Sequence, residues 1–174
     1  FHRDLPNGDR IEWELAEIGE GPQGSVYPML ITDRTPLERR VSVTADAETT
    51  GLSGLRTAII GTTAERAAEY IDGFETMFGS KRSAAVEYPA LGVRITHFEG
   101  APVGVAVPLD ERTRLADRIR SHGELPCAYL LNTTDEALVL DRFEIAETTP
   151  WSGGFVHWFD VSIGGKLGAF VAER

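Results

Sequence analysis

Between Arg10 and Ile18 the chain sets Ile11, Trp13 and Leu15 against Glu12 and Glu14 in alternation. A period of two sends successive side chains to opposite faces, so this stretch predicts a strand with one solvated face. Turn-forming Pro6-Asn7-Gly8-Asp9 precedes it. A second strand is expected over Ser25–Thr32, at an edge or a bulge because Pro28 cannot donate to a ladder. Arg39–Ala47 alternates again through Val41 and Val43, Thr49–Gly54 reads as a loop, and Leu55–Ile60 as a short buried strand. The period then changes. From Thr63 to Phe78, Ala64, Ala67, Ala68, Ile71, Phe74 and Phe78 recur on one helical face. Thr62 and Glu65 stand at capping-box spacing ahead of it, and Gly79 follows as a stop.

Strands resume at Val93–Phe98 and Pro102–Val107, joined through Glu99-Gly100 in hairpin fashion. Asp110 can open a short helix reaching Arg120, with Leu115 and Ile119 one turn apart and Gly123 as its end. Further strands are expected near Cys127–Leu131, Ala137–Ile145, Phe155–Ile163 and Leu167–Ala172, with Gly164-Gly165 as a hairpin between the last two. No internal repeat is visible. Nine or ten short strands with one or two inserted helices, without regular strand–helix alternation, predict a mainly β chain. The expected architecture is an antiparallel β-sandwich or jelly-roll-like barrel, with an α+β antiparallel sheet as the alternative. At 174 residues, a single domain over 1–174 is the expectation.

Charge narrows the partners. Lys and Arg number 17 against 27 Asp and Glu, a formal charge of -10 that repels phosphate backbones, so no nucleic-acid partner is expected. No apolar run reaches the ~20 residues of a membrane helix. One cysteine, Cys127, excludes a disulfide within the chain and a cysteine-based zinc cluster, and inside an apolar strand it reads as a small buried hydrophobe. The start at Phe1 instead of Met is read as a processed or excised chain, and localisation stays open.

Motifs add little chemistry. Ile18-Gly19-Glu20-Gly21-Pro22-Gln23-Gly24-Ser25-Val26-Tyr27 resembles the Gly-rich loop of protein kinases, and His2-Arg3-Asp4-Leu5 resembles the start of their catalytic loop. The resemblance breaks on mechanism. The next strand has no phosphate-holding lysine, the His-Arg-Asp segment comes before the loop instead of after it, and no Asp-Phe-Gly follows to hold magnesium. The same glycines fail as a dinucleotide fingerprint, since no helix follows them. Gly51-Leu52-Ser53-Gly54 is one residue short of a nucleophile elbow. His2, His97, His122 and His157 have no metal-clip spacing, so no cofactor or metal is called.

Two features remain. Arg112, Arg114, Arg118 and Arg120 gather on one short predicted helix of an acidic chain, beside Asp110, Glu111 and Asp117. Trp151 and Trp158 concentrate aromatic surface near the end of the chain. These six residues are the candidate interaction set, and they lead to a first reading: a non-enzymatic structural or interaction module in an oligomeric assembly, such as a capsid, partnered by itself or another protein. The alternative is a small-molecule-binding β-barrel or jelly-roll enzyme, with His97 and His157 lining its pocket.

Overall fold

The computed structural model describes residues 1–19, 26–41, 49–151, 154–163 and 166–173, with backbone alone for 161–163, 166, 167, 170, 172 and 173. The chain divides into two units, Phe1–Thr49 and Thr50–Arg174.

In the first unit β1 (His2–Asp4), β2 (Arg10–Ala16) and β3 (Leu30–Asp33) form an antiparallel sheet in that order. The alternation read along β2 is present: Ile11 is fully buried, Trp13 and Leu15 are half-buried, and Glu12 and Glu14 face water. The turn before β2 closes through Gly8 N–H donating to the Leu5 carbonyl at 2.9 Å. β3 begins only at Leu30, two residues after Pro28, whose missing N–H keeps it out of the ladder. Where a strand was expected from Arg39, a single helical turn, α1 (Leu37–Arg40), forms instead. Arg40 forks onto the Asp33 carboxylate at 2.5 and 2.9 Å, which ties that turn to β3. Residues 42–48, Val43 among them, and 20–25 of the Gly-rich loop lie outside the described residues.

The second unit runs β4 (Leu52–Gly61), α2 (Ala67–Phe78), β5 (Val86–Tyr88), β6 (Val93–Phe98), β7 (Ala101–Pro108), α3 (Arg114–His122), β8 (Leu125–Thr133), α4 (Glu136–Arg142), β9 (Ile145–Trp151), β10 (Gly154–Ile163) and β11 (Lys166–Glu173). Its eight strands make one curled, mixed sheet in the order β5-β6-β7-β4-β8-β11-β10-β9. The order reads the same from both ends. Each half is a strand, a helix and three antiparallel strands, the last returning to lie parallel to the first: β7 beside β4, and β11 beside β8. β4 and β8 pair antiparallel at the centre.

This corrects the sandwich and jelly-roll expectation, and it reveals a repeated topology that the sequence does not display. Hairpin signals describe neighbours along the chain, and those hairpins are present. Gly100 takes φ +71° between β6 and β7, and the backbones of Ile163 and Lys166 pair across Gly164-Gly165, themselves outside the described residues. The two parallel pairings are closed by crossovers through α2 and α4, which no local turn signal encodes.

Helix α2 starts four residues later than its periodicity predicts. Thr62 does not cap it. Its hydroxyl instead donates to Glu124 Oε1 at 2.7 Å, and the same carboxylate accepts from Thr63 N–H (3.0 Å), Arg66 (2.7 Å) and Tyr70 Oη (2.9 Å). Glu124 thus binds the entrance of α2 to the start of β8. At the other end Gly79 adopts φ +62°, the left-handed stop expected of it. The face presented by α2 packs Phe74 against Phe98 of β6, with ring centroids 5.8 Å apart.

Residues 137–145 do not form the expected strand. Asp135 accepts from Leu138 N–H at 3.0 Å and caps α4, which buries Val139 completely and leaves Leu140 in solvent. Register fixes which side chains share the sheet's inner face. Ile59 lies opposite Ala128, and Leu130, Ala169, Trp158 and Glu147 follow one another across β8, β11, β10 and β9.

Candidate functional site

The curl of the sheet encloses a cavity of about 520 Å³, within the range of small-molecule sites. Its floor is aliphatic: Ile59, Ile95, Ala106, Ala128 and Leu130 are all buried, as the inward positions of central strands should be. Trp151 and Trp158 supply the aromatic wall. The indole N–H of Trp158 donates to Thr149 Oγ1 at 3.0 Å, which fixes that ring and satisfies its polar atom.

Trp151 is held differently. It stacks on Tyr88 with centroids 4.2 Å apart and planes 14° from parallel, while the His97 ring meets it edge-on at 6.0 Å. Tyr88 belongs to β5 and Trp151 to β9, the first and last strands of the sheet, so the stack joins the two outer edges and closes the curl. Burial of Tyr88 pushes its hydroxyl above the ordinary tyrosine range.

Helix α3 forms the rim. Thr113 caps it by accepting from Ala116 N–H at 3.2 Å, and Leu115 and Ile119 pack into the core beside Ile59 and Cys127. This packing is tight, since a Cβ at Gly61 would stand 2.7 Å from Leu115 Cδ1. With Leu115 turned inward, Arg114 and Arg118, one turn apart, reach the mouth, and Arg112 joins them from just before the helix. Arg114 pairs with Glu147 at 3.2 Å, and Arg118 lies 3.5 Å from the Pro126 carbonyl. Asp110 is the second carboxylate on the lining and accepts from Arg112 N–H at 2.7 Å. Cys127 also borders the cavity. Burial raises its thiol to about 11, so it stays protonated at neutral pH and donates to the Ile59 carbonyl.

Five of the six residues singled out as an interaction set therefore converge on one concavity: Trp151, Trp158, Arg112, Arg114 and Arg118. Arg120 does not join them; it turns back to Asp117 and to the Glu111 carbonyl at 2.9 Å. The histidines do not share a pocket. His97 stands behind Trp151, and burial, with Arg56 nearby, lowers its pKa. His157 is one residue from Trp158 and points to the opposite face, where Nδ1 meets Thr148 Oγ1 at 3.0 Å and Nε2 lies 3.3 Å from Glu136 of α4. Glu147 and Tyr88 were not anticipated. Val86-Glu87-Tyr88 is too short a segment to show a period, and Glu147 carries no local signal at all.

Chemically, the cavity offers an apolar slot with guanidinium groups and two carboxylates at its mouth, suited to binding and orienting an organic molecule. Among the described residues, no three His, Cys, Asp or Glu side chains stand together as a metal site would require.

No protein-family model matches the chain, and no curated protein matches it. Solved structures do. Methylmalonyl-CoA epimerase from Mycobacterium tuberculosis superposes with a TM-score of 0.62 at 16% identity, over 76% of this chain and 94% of that one. A hypothetical protein from Bacillus halodurans C-125 gives 0.54 at 17% identity, over 70% and 96%. A methylmalonyl-CoA epimerase in complex with methylmalonyl-CoA and NH4+ gives 0.53 at 16%, over 70% and 96%. At such identities the likeness establishes the fold. That fold, shared with solved enzyme structures, counts against the reading of the chain as a non-enzymatic assembly or capsid-type module. Among the described residues, no helix is long and apolar enough to cross a membrane.

Proposed function

We propose that the Thr50–Arg174 unit is a small-molecule-binding, enzyme-type domain whose ligand occupies the concave cavity. The observation that carries this reading is the cavity itself: aliphatic floor, two tryptophans and a charged rim, all built from one sheet and the helix that borders it. An assembly surface would present its aromatic residues outward and flat. Here Trp158 is set by a hydrogen bond and Trp151 by a stack, both facing enclosed space. The epimerase structures that share the fold include one holding methylmalonyl-CoA, so a ligand site on this architecture has precedent.

The residues present do not fit a metal centre of the usual kind. The inner face of the central strands carries Ile59, Ala128 and Leu130, which have no donor atoms to offer a cation. The chain's own groups in the cavity bind, orient and exclude water, and Glu147 is the carboxylate that shares the inner face with Trp158.

Binding is read by tryptophan fluorescence in a Trp13→Phe background, which leaves Trp151 and Trp158 as the reporters. Titration with 1-anilinonaphthalene-8-sulfonate should quench them saturably. Trp158→Ala should weaken the probe about tenfold, as loss of a buried aromatic contact does. Absence of saturable binding, or binding indifferent to Trp158→Ala, would refute the reading.

A further inference from the structure

We infer that the ligand is an organic anion, bound with its charged group between Arg112, Arg114 and Arg118 and its apolar body directed inward. This rests on the cavity being the ligand site and adds its chemical class and its orientation.

Three observations support it. The first is where positive charge lies. In a chain of formal charge -10, the lining of this one cavity holds three arginines against two carboxylates, Asp110 and Glu147. A local surplus of cations in an anionic molecule is the arrangement that would draw a negative ligand to one place. Field lines concentrate in a cleft with low-dielectric walls, and the aliphatic floor provides those walls.

Helix packing is the second. Leu115 and Ile119 anchor α3 to the core, which fixes the helix's rotation and presents Arg114 and Arg118 together, at i and i+4, on the adjoining face at the cavity mouth. Two of the three guanidinium groups are therefore carried on a held element, and Arg112 stands in the turn that Asp110 fixes just before it. Each offers a planar fork that matches a carboxylate, sulfonate or phosphate group.

The third observation sets the direction. The Tyr88–Trp151 stack closes the side of the curl where the two edge strands meet, and among the described residues the cavity's guanidinium groups are those of Arg112, Arg114 and Arg118 at α3. Among the described residues the floor beyond Trp158 is apolar, and the Cys127 thiol beside it is committed to the Ile59 carbonyl. An anion seated there would lose its hydration without any paired donor, at a cost that apolar contact could not offset. The charged group must remain at α3, and the apolar part must go inward.

Glu147 adds a refinement. It holds Arg114 at 3.2 Å and so occupies part of the cationic rim with a competing carboxylate. Removing its charge should favour an anionic ligand while leaving a neutral one unaffected.

Isothermal titration calorimetry with naphthalene-2-carboxylate and its neutral counterpart naphthalene-2-methanol tests the inference on the full chain. The carboxylate should bind at least about tenfold tighter than the alcohol, with the difference shrinking as salt is raised. Arg112→Gln and Arg118→Gln should each weaken the carboxylate severalfold without changing the alcohol. Glu147→Gln should tighten the carboxylate alone. Equal affinity for the two probes, or carboxylate binding unmoved by both arginine substitutions, overturns the anion assignment and leaves the cavity reading standing. If neither probe binds, both fail. A fall in alcohol binding that matches the fall in carboxylate binding would expose an arginine substitution as structural and count against the assignment.

Discussion

Glu124 shows how much one residue can fix. Its carboxylate accepts from both threonine hydroxyls at the head of α2, from the Thr63 N–H, from Arg66 and from Tyr70, and its side chain is only 12% exposed. Burial pushes its pKa up, but the Thr63 N–H, the Thr62 and Tyr70 hydroxyls and the Arg66 charge together bring it below the ordinary glutamate value. The folded state therefore holds this group ionised where the unfolded chain would take up a proton. That contribution to stability is complete above the unfolded pKa, near 4.5, and is lost as pH falls through the depressed folded value. Glu124→Gln should lower stability at pH 7 by about 2 kcal/mol, judged from hydrogen bonds to a charged acceptor. The deficit relative to wild type should narrow between pH 5 and pH 3, as urea denaturation at each pH would show. At this scale the sequence is informative about identity and silent about company. Trp151, Trp158 and the arginines stand out by residue type, whereas nothing local tells Glu124 that it will meet Thr62 across 62 positions.

Single elements are legible where one period dominates. α2 declares itself through its apolar stripe and Gly79, and β2 through its alternation. Residues 137–145 fail for an identifiable reason: Leu138, Val139 and Leu140 are consecutive apolar residues, a run that suits a buried strand as well as a helix. The deciding signal is Asp135, a helix N-cap placed just before them. Asp135→Ala should cost the second unit about 1 kcal/mol by losing that cap, measurable as a lower midpoint of thermal unfolding. Asp135→Asn, which keeps the accepting oxygen, should retain most of the stability. Thr35 is the contrary case, since it also precedes a short helix, yet its hydroxyl bonds with β2, accepting from Glu12 N–H at 3.1 Å, and caps nothing.

The whole molecule was the least legible, because sheet order is a property of crossovers. Hairpins could be read from Glu99-Gly100 and Gly164-Gly165, but the parallel neighbours β4 with β7 and β8 with β11 depend on helices packing back over the sheet. The repeat is invisible in the sequence for a related reason: the two halves share connectivity while their residues differ. β4 ends in Ile59-Ile60-Gly61, whereas β8, its counterpart, ends in Leu131-Asn132-Thr133. Long-range pairing concentrates at the centre, where β4 and β8 run the length of each other. Native-state hydrogen exchange should accordingly find the slowest amides in β4 and β8, with β5 and β9 exchanging well before them. Uniform protection across all eight strands would contradict this.

The Tyr88–Trp151 contact gives that gradient a use. The two halves are bound as a book is, with backbone hydrogen bonds as the spine and a pair of rings as the clasp on the fore-edge. Parting an aromatic pair forfeits about 1 kcal/mol beyond the area it uncovers, far less than tearing a central ladder. Of the two rings only Trp151 lines the cavity, so trimming Tyr88 behind it should let that wall give way to a bulkier guest while the spine stays whole.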